Sequence, residues 1–299
     1  MCDGVLVFAF YVLTLLNIRI ALSLCSVLLA GLAAPGADDW KLVWSDEFNR
    51  DGPPDPANWV YERGFMRNQE LQWYQPENAY CTNGLLILEA RPEHKRNPDY
   101  VPGSASWKQS REWIDYTSAS LTTRHLHEFK YGKFELRARI NTQSGSWPSF
   151  WMQGGDRSAF WMQSATRPVV GWPARGEIDI MEYYAGQIRA NLAYQLYGKA
   201  KWSFAAKPIT GLGGDIWSNA FHIWTMEWNA TNLDLLLDGQ LMNHFEVATA
   251  DGADRGNPFH FPAYFILSQA VGSNGGDPAH TPFPIRFEVD WVRVYQPKD

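Results

Sequence analysis

From Trp40 onward the chain is a succession of short segments rich in Val, Ile, Leu, Phe, Tyr and Trp, divided by Gly, Pro, Asn and Asp. No stretch repeats its apolar residues at the 3.6-residue spacing of a long helix, so the pattern restricts the fold to all-β. Candidate strands are Leu42 to Trp44, Leu85 to Ala90, Ser118 to Thr123, Tyr131 to Ile140, Phe150 to Met152, Glu177 to Tyr183, Ile188 to Leu196, Phe221 to Trp228, Leu233 to Leu237, Tyr264 to Ala270 and Phe287 to Tyr295. In the last of these, Phe287, Val289, Trp291 and Val294 nearly alternate with Glu288, Asp290 and Arg293, as in a strand with one face buried. The pattern predicts a two-sheet sandwich. Asn83-Gly84 and Asp238-Gly239 are hairpin-turn signals, the second joining Leu233-Leu237 to Leu241-Phe245.

Two stretches depart from this rhythm. Glu93 to Trp113 is polar and reads as a surface excursion. Residues 153–176 form a long connection in which Phe160-Trp161-Met162-Gln163 repeats Phe150-Trp151-Met152-Gln153, either a local duplication or the wall of a cleft.

The N-terminus reads as an address. Residues 5–34 are almost wholly apolar, and Arg19 followed by Ile20 to Leu32 resembles the short charged and apolar regions of a signal peptide, with cleavage between Ala33 and Ala37. The alternative is an uncleaved anchor, because the stretch is long enough to span a bilayer. The expected organisation is a leader or anchor over residues 1–37 and one domain over 38–299, with the protein secreted or held at the membrane by that segment. Cys2 and Cys25 fall in the leader, which leaves Cys81 alone and excludes an intrachain disulfide from the mature chain.

Of the 299 residues 45% are hydrophobic, enough to bury a sizeable core. A net charge of -6 with interleaved signs gives no electrostatic footprint for nucleic acid, and no Lys/Arg cluster marks a membrane-surface patch. The 15 Trp exceed what a core of this size needs. Flat apolar rings with a polar edge suit the CH-rich faces of sugars, although any single Trp can equally be sandwich core. The seven His show no ligand spacing beyond His125-Leu126-His127, which reads as a strand feature rather than a zinc site.

Glu177-Ile178-Asp179-Ile180-Met181-Glu182 places three acids in an otherwise apolar strand. Buried carboxylates cost several kcal/mol unless paired or hydrogen-bonded, so the placement points to use. In a regular strand Glu177 and Asp179 share a face and Glu182 takes the other. One β-bulge between Asp179 and Glu182 would bring all three together, and that bulge is predicted. Two carboxyl groups on one face suit glycosidic cleavage with retention, and an acid between them can hold a proton while its neighbour stays ionised. A solvated acidic face or a cation site is the bland alternative.

Trp147-Pro148-Ser149-Phe150-Trp151-Met152 and Gly171-Trp172-Pro173-Ala174-Arg175-Gly176-Glu177-Ile178-Asp179-Ile180-Met181-Glu182-Tyr183 closely resemble the signature of glycoside hydrolase family 16, in its bulge-containing laminarinase-like branch. Trp44-Ser45-Asp46-Glu47-Phe48-Asn49, Asn68-Gln69-Glu70-Leu71-Gln72-Trp73-Tyr74, Tyr131-Gly132-Lys133-Phe134-Glu135 and Val289-Asp290-Trp291-Val292-Arg293-Val294-Tyr295-Gln296 resemble further family blocks in family order.

The resemblance implies a β-jelly-roll sandwich of the concanavalin A-like kind with an open concave cleft. It implies a retaining endo-hydrolase of a β-linked polysaccharide, β-1,3-glucan or mixed-linkage β-1,3-1,4-glucan first, a marine galactan such as agar or carrageenan second. By it Glu177 is the nucleophile, Asp179 the assisting acid and Glu182 the acid/base. Trp147 and Trp151 match aromatic platforms, Asn68, Glu70 and Arg91 match positions that bind sugar hydroxyls, and Trp172 belongs near the cleft mouth. No cofactor is implied for catalysis. A structural calcium ion is, with Glu47, Gly84 and Asp290 at its positions. The expected partner is the polysaccharide alone, with the chain a monomer.

The sequence departs from the laminarinase pattern in Val271 to Pro278, which lacks a Trp, and in Asn191 and Gln195, where a His would be expected. Rival readings are a non-catalytic carbohydrate-binding sandwich and a transglycosylase using the same acids.

Overall fold

The computed structural model describes residues 39–155 and 170–298. The leader and the Phe160-Trp161-Met162-Gln163 repeat lie outside the described residues. Seventeen strands follow one another among the described residues: β1 (Trp40–Asp46), β2 (Val60–Tyr61), β3 (Gln72–Tyr74), β4 (Ala79–Thr82), β5 (Leu85–Arg96), β6 (Trp113–Ser118), β7 (Ser120–Thr122), β8 (Gly132–Ile140), β9 (Ser146–Gly154), β10 (Glu177–Tyr184), β11 (Gln187–Leu196), β12 (Lys199–Pro208), β13 (His222–Trp228), β14 (Asn232–Leu237), β15 (Gln240–Glu246), β16 (Ala263–Val271) and β17 (Ile285–Pro297).

They form two sheets, the expected β-jelly-roll sandwich. The ten-stranded sheet runs β15-β14-β13-β8-β17-β5-β6-β3, with β1 on β17 and β4 on β5; the seven-stranded sheet runs β12-β11-β10-β9-β16-β7-β2. Both turn signals form as expected. Asn83 and Gly84 take φ of 52° and 74°, and Asp238 and Gly239 take 49° and 75°, the left-handed pair that a two-residue hairpin turn requires.

Period-two alternation builds the core. Phe134, Leu136, Ala138 and Ile140 of β8 face inward with Trp224, Met226 and Trp228 of β13. Opposite them, Phe150 and Met152 of β9 pack with Phe265 and Leu267 of β16, and the Phe150 and Phe265 rings stack at 5.1 Å. Cys81 is buried and free, and burial pushes its thiol up to about 12, so it packs as a small hydrophobe.

Two expectations change. Glu93 to Trp113 is only partly an excursion: β5 runs on to Arg96 and pairs with β6, so the loop is confined to residues 97–112. The strand β12 was not anticipated, because Lys199, Lys201 and Lys207 dilute its apolar alternation. It forms by pairing along its whole length with β11, a tertiary cause that local sequence does not carry.

Gly176, the residue before β10, has φ +82°, and a Cβ there would sit 2.6 Å from Pro258 Cβ. Gly176→Ala is therefore expected to lose about 1–3 kcal/mol of stability. A urea titration checks this, and an unchanged midpoint would show that the approach to β10 tolerates a side chain.

Candidate active site

The three acids come together because β10 is bulged. Asp179 lies opposite Asn191 of β11 and Trp151 of β9, whereas Glu182 lies opposite Arg189 and Ser149. Two residues are passed on the neighbours while three are passed on β10. Ile178, Ile180, Met181 and Tyr183 all belong to the core between the sheets. Two successive side chains, Ile180 and Met181, thus point inward, and Glu177, Asp179 and Glu182 share the outer face. There they line a cleft of about 540 Å3.

Burial governs their protonation. The Glu177 carboxyl is pushed up to about 7 by burial and then by the charge of Glu182, against a hydrogen bond from Trp172 and the attraction of Arg67. Asp179, only 3% exposed, is driven well above the carboxylate range by burial and by its two acidic neighbours. Glu182 is raised by burial but opposed by hydrogen bonds from Trp147, Asp179 and Ser149. Trp147 Nε1 donates to Glu182 Oε1 at 3.0 Å, and Ser149 Oγ donates to the same oxygen at 3.4 Å. Asn191 Nδ2 reaches both Asp179 Oδ2, at 3.5 Å, and Glu182 Oε2, at 3.4 Å. The arrangement keeps a proton on Asp179 directed at Glu182, and lets the three carboxyl groups hold unequal shares of the protons.

The walls come from β9 and from the loop after β2. Trp147, Ser149, Trp151 and Gln153 alternate onto the cleft face of β9, as four-residue spacing in an extended segment requires. Trp172 stands at the rim, 51% exposed. Asn68 and Glu70 line the same cleft. Glu70 is buried and raised by that burial, but accepts from Gln72 Nε2 at 2.6 Å and from Asn68 Nδ2 at 3.3 Å.

The Asn68-Gln69 turn holds two non-glycine residues at φ of 54° and 50°, a conformation that needs support. Arg111 supplies it from the 97–112 loop, donating to the carbonyls of Gln69 and Glu70 while its guanidinium lies 5.0 Å from the Phe65 ring and 4.9 Å from that of Trp107. Ser273 Oγ donates to Asn68 O at 2.8 Å from the segment where the Trp is missing.

Arg91 is a correction. It is not among the residues lining the cleft; its Nε donates to Glu89 Oε1 at 2.6 Å, in a cluster completed by Arg286 on the larger sheet. The guanidinium in the cleft is that of Arg67, which pairs with Glu62 and lies 5.1 Å over the Trp151 ring.

The calcium positions do not fit a cation as they stand. Glu47 is held by both Nε and Nη2 of Arg293, at 2.9 and 2.8 Å, and Asp290 is paired with Arg137. A calcium ion needs six to eight oxygen ligands, and here the two carboxylates are already neutralised by arginines. Gly84 serves the hairpin turn. Among the described residues no group of three His, Cys, Asp or Glu side chains could hold a metal ion.

Sequence reasoning did not single out Ser149 and Gln153, although they share strand parity with Trp147 and Trp151 and could have been read from it. It also passed over Arg67 and Arg111, which carry no local pattern, and Trp202 and Phe204, which line the cleft from β12.

A jelly roll with buried acids on one bulged strand beneath a row of tryptophans defines a carbohydrate-active sandwich. The chain belongs to the glycosyl hydrolases family 16, whose family model matches residues 67–293. It is 35% identical over 278 residues to a beta-glucanase of Rhodothermus marinus, covering 87% of this chain and 86% of the relative. The catalytic domain of an endo-1,3-beta-glucanase (laminarinase) from Thermotoga petrophila RKU-1 superposes with a TM-score of 0.70 at 34% identity, covering 87% of this chain and 99% of that one. A solved structure described under endo-acting O-glycanases, with which members of the human gut microbiota initiate mucin breakdown, reaches 0.76 at 31% identity, covering 88% and 92%.

Two outcomes are expected. Because the folded state raises the Glu177 carboxyl to about 7, it keeps a proton that the unfolded chain loses near pH 4.5, so this contribution to stability is lost as pH rises through that window. Glu177→Gln cannot ionise, and its thermal midpoint should gain on wild type by roughly 2–5 °C between about pH 5 and about pH 8. A constant difference across that range would contradict the raised carboxyl. Chelation with EDTA should leave the wild-type midpoint unchanged, and a marked fall would restore the calcium site.

Proposed function

We propose that the protein is a retaining endo-hydrolase of a β-linked glucan, β-1,3-glucan or mixed-linkage β-1,3-1,4-glucan, with Glu177 as nucleophile, Asp179 as the assisting acid and Glu182 as acid/base. The observation that carries this reading is the bulge that turns all three acids onto one face of a cleft wall. A Glu177 oxygen attacks the anomeric carbon, the glycosidic C–O bond breaks, and Glu182 gives its proton to the departing oxygen. Water then gives a proton to Glu182 and attacks the same anomeric carbon, the ester bond to Glu177 breaks to free its carboxylate, and this second inversion retains the configuration. Asp179, holding a proton toward Glu182, limits the negative charge that can collect in the triad.

Trp147 and Trp151 offer ring faces beside the reacting sugar, and Asn68 and Glu70 offer hydrogen bonds to its hydroxyls. Cleft residues on both sides of β10 support cutting within a chain rather than at its end. Relatives named for glucan hydrolysis support the glucan class. Against a sulfated galactan stands the arginine of the cleft, Arg67, already paired with Glu62. The apolar leader supports export, and the reading takes the protein as a monomer.

Laminarin, lichenan, agarose and carrageenan, offered to wild type, Glu177→Gln and Glu182→Gln, test the proposal. Wild type should cleave the glucans with retention, read by NMR of the first-formed anomer. Glu182→Gln should fall about 10²–10⁴-fold, and Glu177→Gln should lose turnover. Cleavage of none of the four, or full activity in Glu177→Gln, overturns the assignment.

A further inference from the structure

Trp202 and Phe204 have no place in the core. Their rings stack at 5.4 Å and 12° on β12, the edge strand of the seven-stranded sheet, and they are 37% and 65% exposed. Strand parity settles their direction. Ser203 between them points toward the other sheet, where its Oγ donates to Asn243 Oδ1 of β15 at 3.1 Å, so the two rings face outward on the cleft side. Both line the cleft that holds the carboxylates.

Register places them in line with the acids. Across β11, Trp202 pairs with Ala193, which pairs with Glu177; Phe204 pairs with Asn191, which pairs with Asp179. The two rings are therefore one near-flat platform two strand spacings, about 10 Å, from Glu177 and Asp179. Ala193 and Asn191 leave a low floor between them. A sugar chain crossing the strands over Glu177 passes over that floor and comes down on the platform. Trp172, which hydrogen-bonds Glu177, stands 6.2 Å from Trp202 and tilted at 52°, so wall and floor are joined.

We infer that Trp202 and Phe204 form a stacking subsite for a pyranose unit that is not itself cleaved, on the arm of the cleft opposite Asn68 and Glu70. This rests on the proposed hydrolase reading. The platform presents apolar area and no fixed hydrogen-bond donor except the Trp202 indole N–H, so it suits the CH face of a neutral β-linked hexose more than a charged one. Its chemistry is that of affinity for chain length. Substrates long enough to reach it gain binding, and shorter ones do not.

The test uses the Glu177→Gln protein, which removes turnover, and measures binding of a trimeric and a heptameric β-1,3-glucan oligosaccharide by calorimetry, with Trp202→Ala, Phe204→Ala and Trp202→Phe added in turn. The heptamer should bind at least roughly tenfold more tightly than the trimer, and each Ala variant should lose most of that gain, the burial of one ring face being worth about that factor. Trp202→Phe, which keeps a ring, should restore a large part. An undiminished gain in both Ala variants overturns the subsite while leaving the hydrolase standing, provided wild type cleaves laminarin. No heptamer binding together with no laminarin cleavage overturns both. A dimer in wild type that Trp202→Ala converts to monomer, with binding unchanged, assigns the platform to a second copy of the chain and overturns the subsite.

Discussion

One phase shift in one strand supports the rest of the site. A strand turns successive side chains to opposite faces, and Glu182 is an odd number of residues from Asp179, so a regular β10 would bury it among the apolar side chains of the sandwich. The shift is held because Ile180 and Met181 are both taken into the core, and because β9 and β11 register the strand on either side of the bulge. Core packing therefore fixes catalytic geometry directly. The apolar neighbours of the acids are the anchors that keep three like-charged groups on one face.

The same closeness sets the electrostatics. Three carboxyl groups in a shared, largely buried space cannot all ionise, so burial and mutual repulsion keep protons within the triad. Burial first, and then the charges of Glu182 and Glu177, hold Asp179 well above the carboxylate range, while Glu182, also raised by burial, receives Trp147, Ser149 and Asn191. Asn191 is a neutral donor that does not titrate alongside the acids, and its buried Oδ1 accepts no bond from the described residues. Part of the fold's stability is spent on this arrangement, as is usual where function needs buried charge.

What the sequence disclosed followed the range of the interaction. Alternation along one strand predicted Phe287, Val289 and Val294 on the core face of β17, but a bulge after Val289 turns Trp291 to the outer face and puts Val292 in its place; turn chemistry predicted both hairpins. The bulge was legible because three acids with unequal parity leave no other way to share a face. Contacts between distant segments were not legible. Glu47 and Arg293 are separated by 246 positions, and nothing local tells that a matched cation-site carboxylate is held by an arginine. Arg91 matched by position along the chain, yet the outward face of β5 gave it to Glu89. Strand β12 escaped because its lysines mask an alternation that only its pairing with β11 makes stable.

The two arms of the cleft are built by different physics. On one, Asn68 and Glu70 sit in a turn of left-handed residues whose carbonyls are clamped by Arg111 and Ser273, so their polar atoms are fixed in direction. On the other, regular strands present flat rings and little else. Directional hydrogen bonds reject a sugar with a misplaced hydroxyl strongly, because a buried polar group is then left unpaired, whereas an apolar face separates similar rings by only about 1–3 kcal/mol. If the proposed hydrolase reading holds, the choice between glucose and its epimers falls to the Asn68 arm, where a long loop is needed to hold the geometry. On the same reading, the β12 arm would accept any chain of suitable shape that the first arm has admitted.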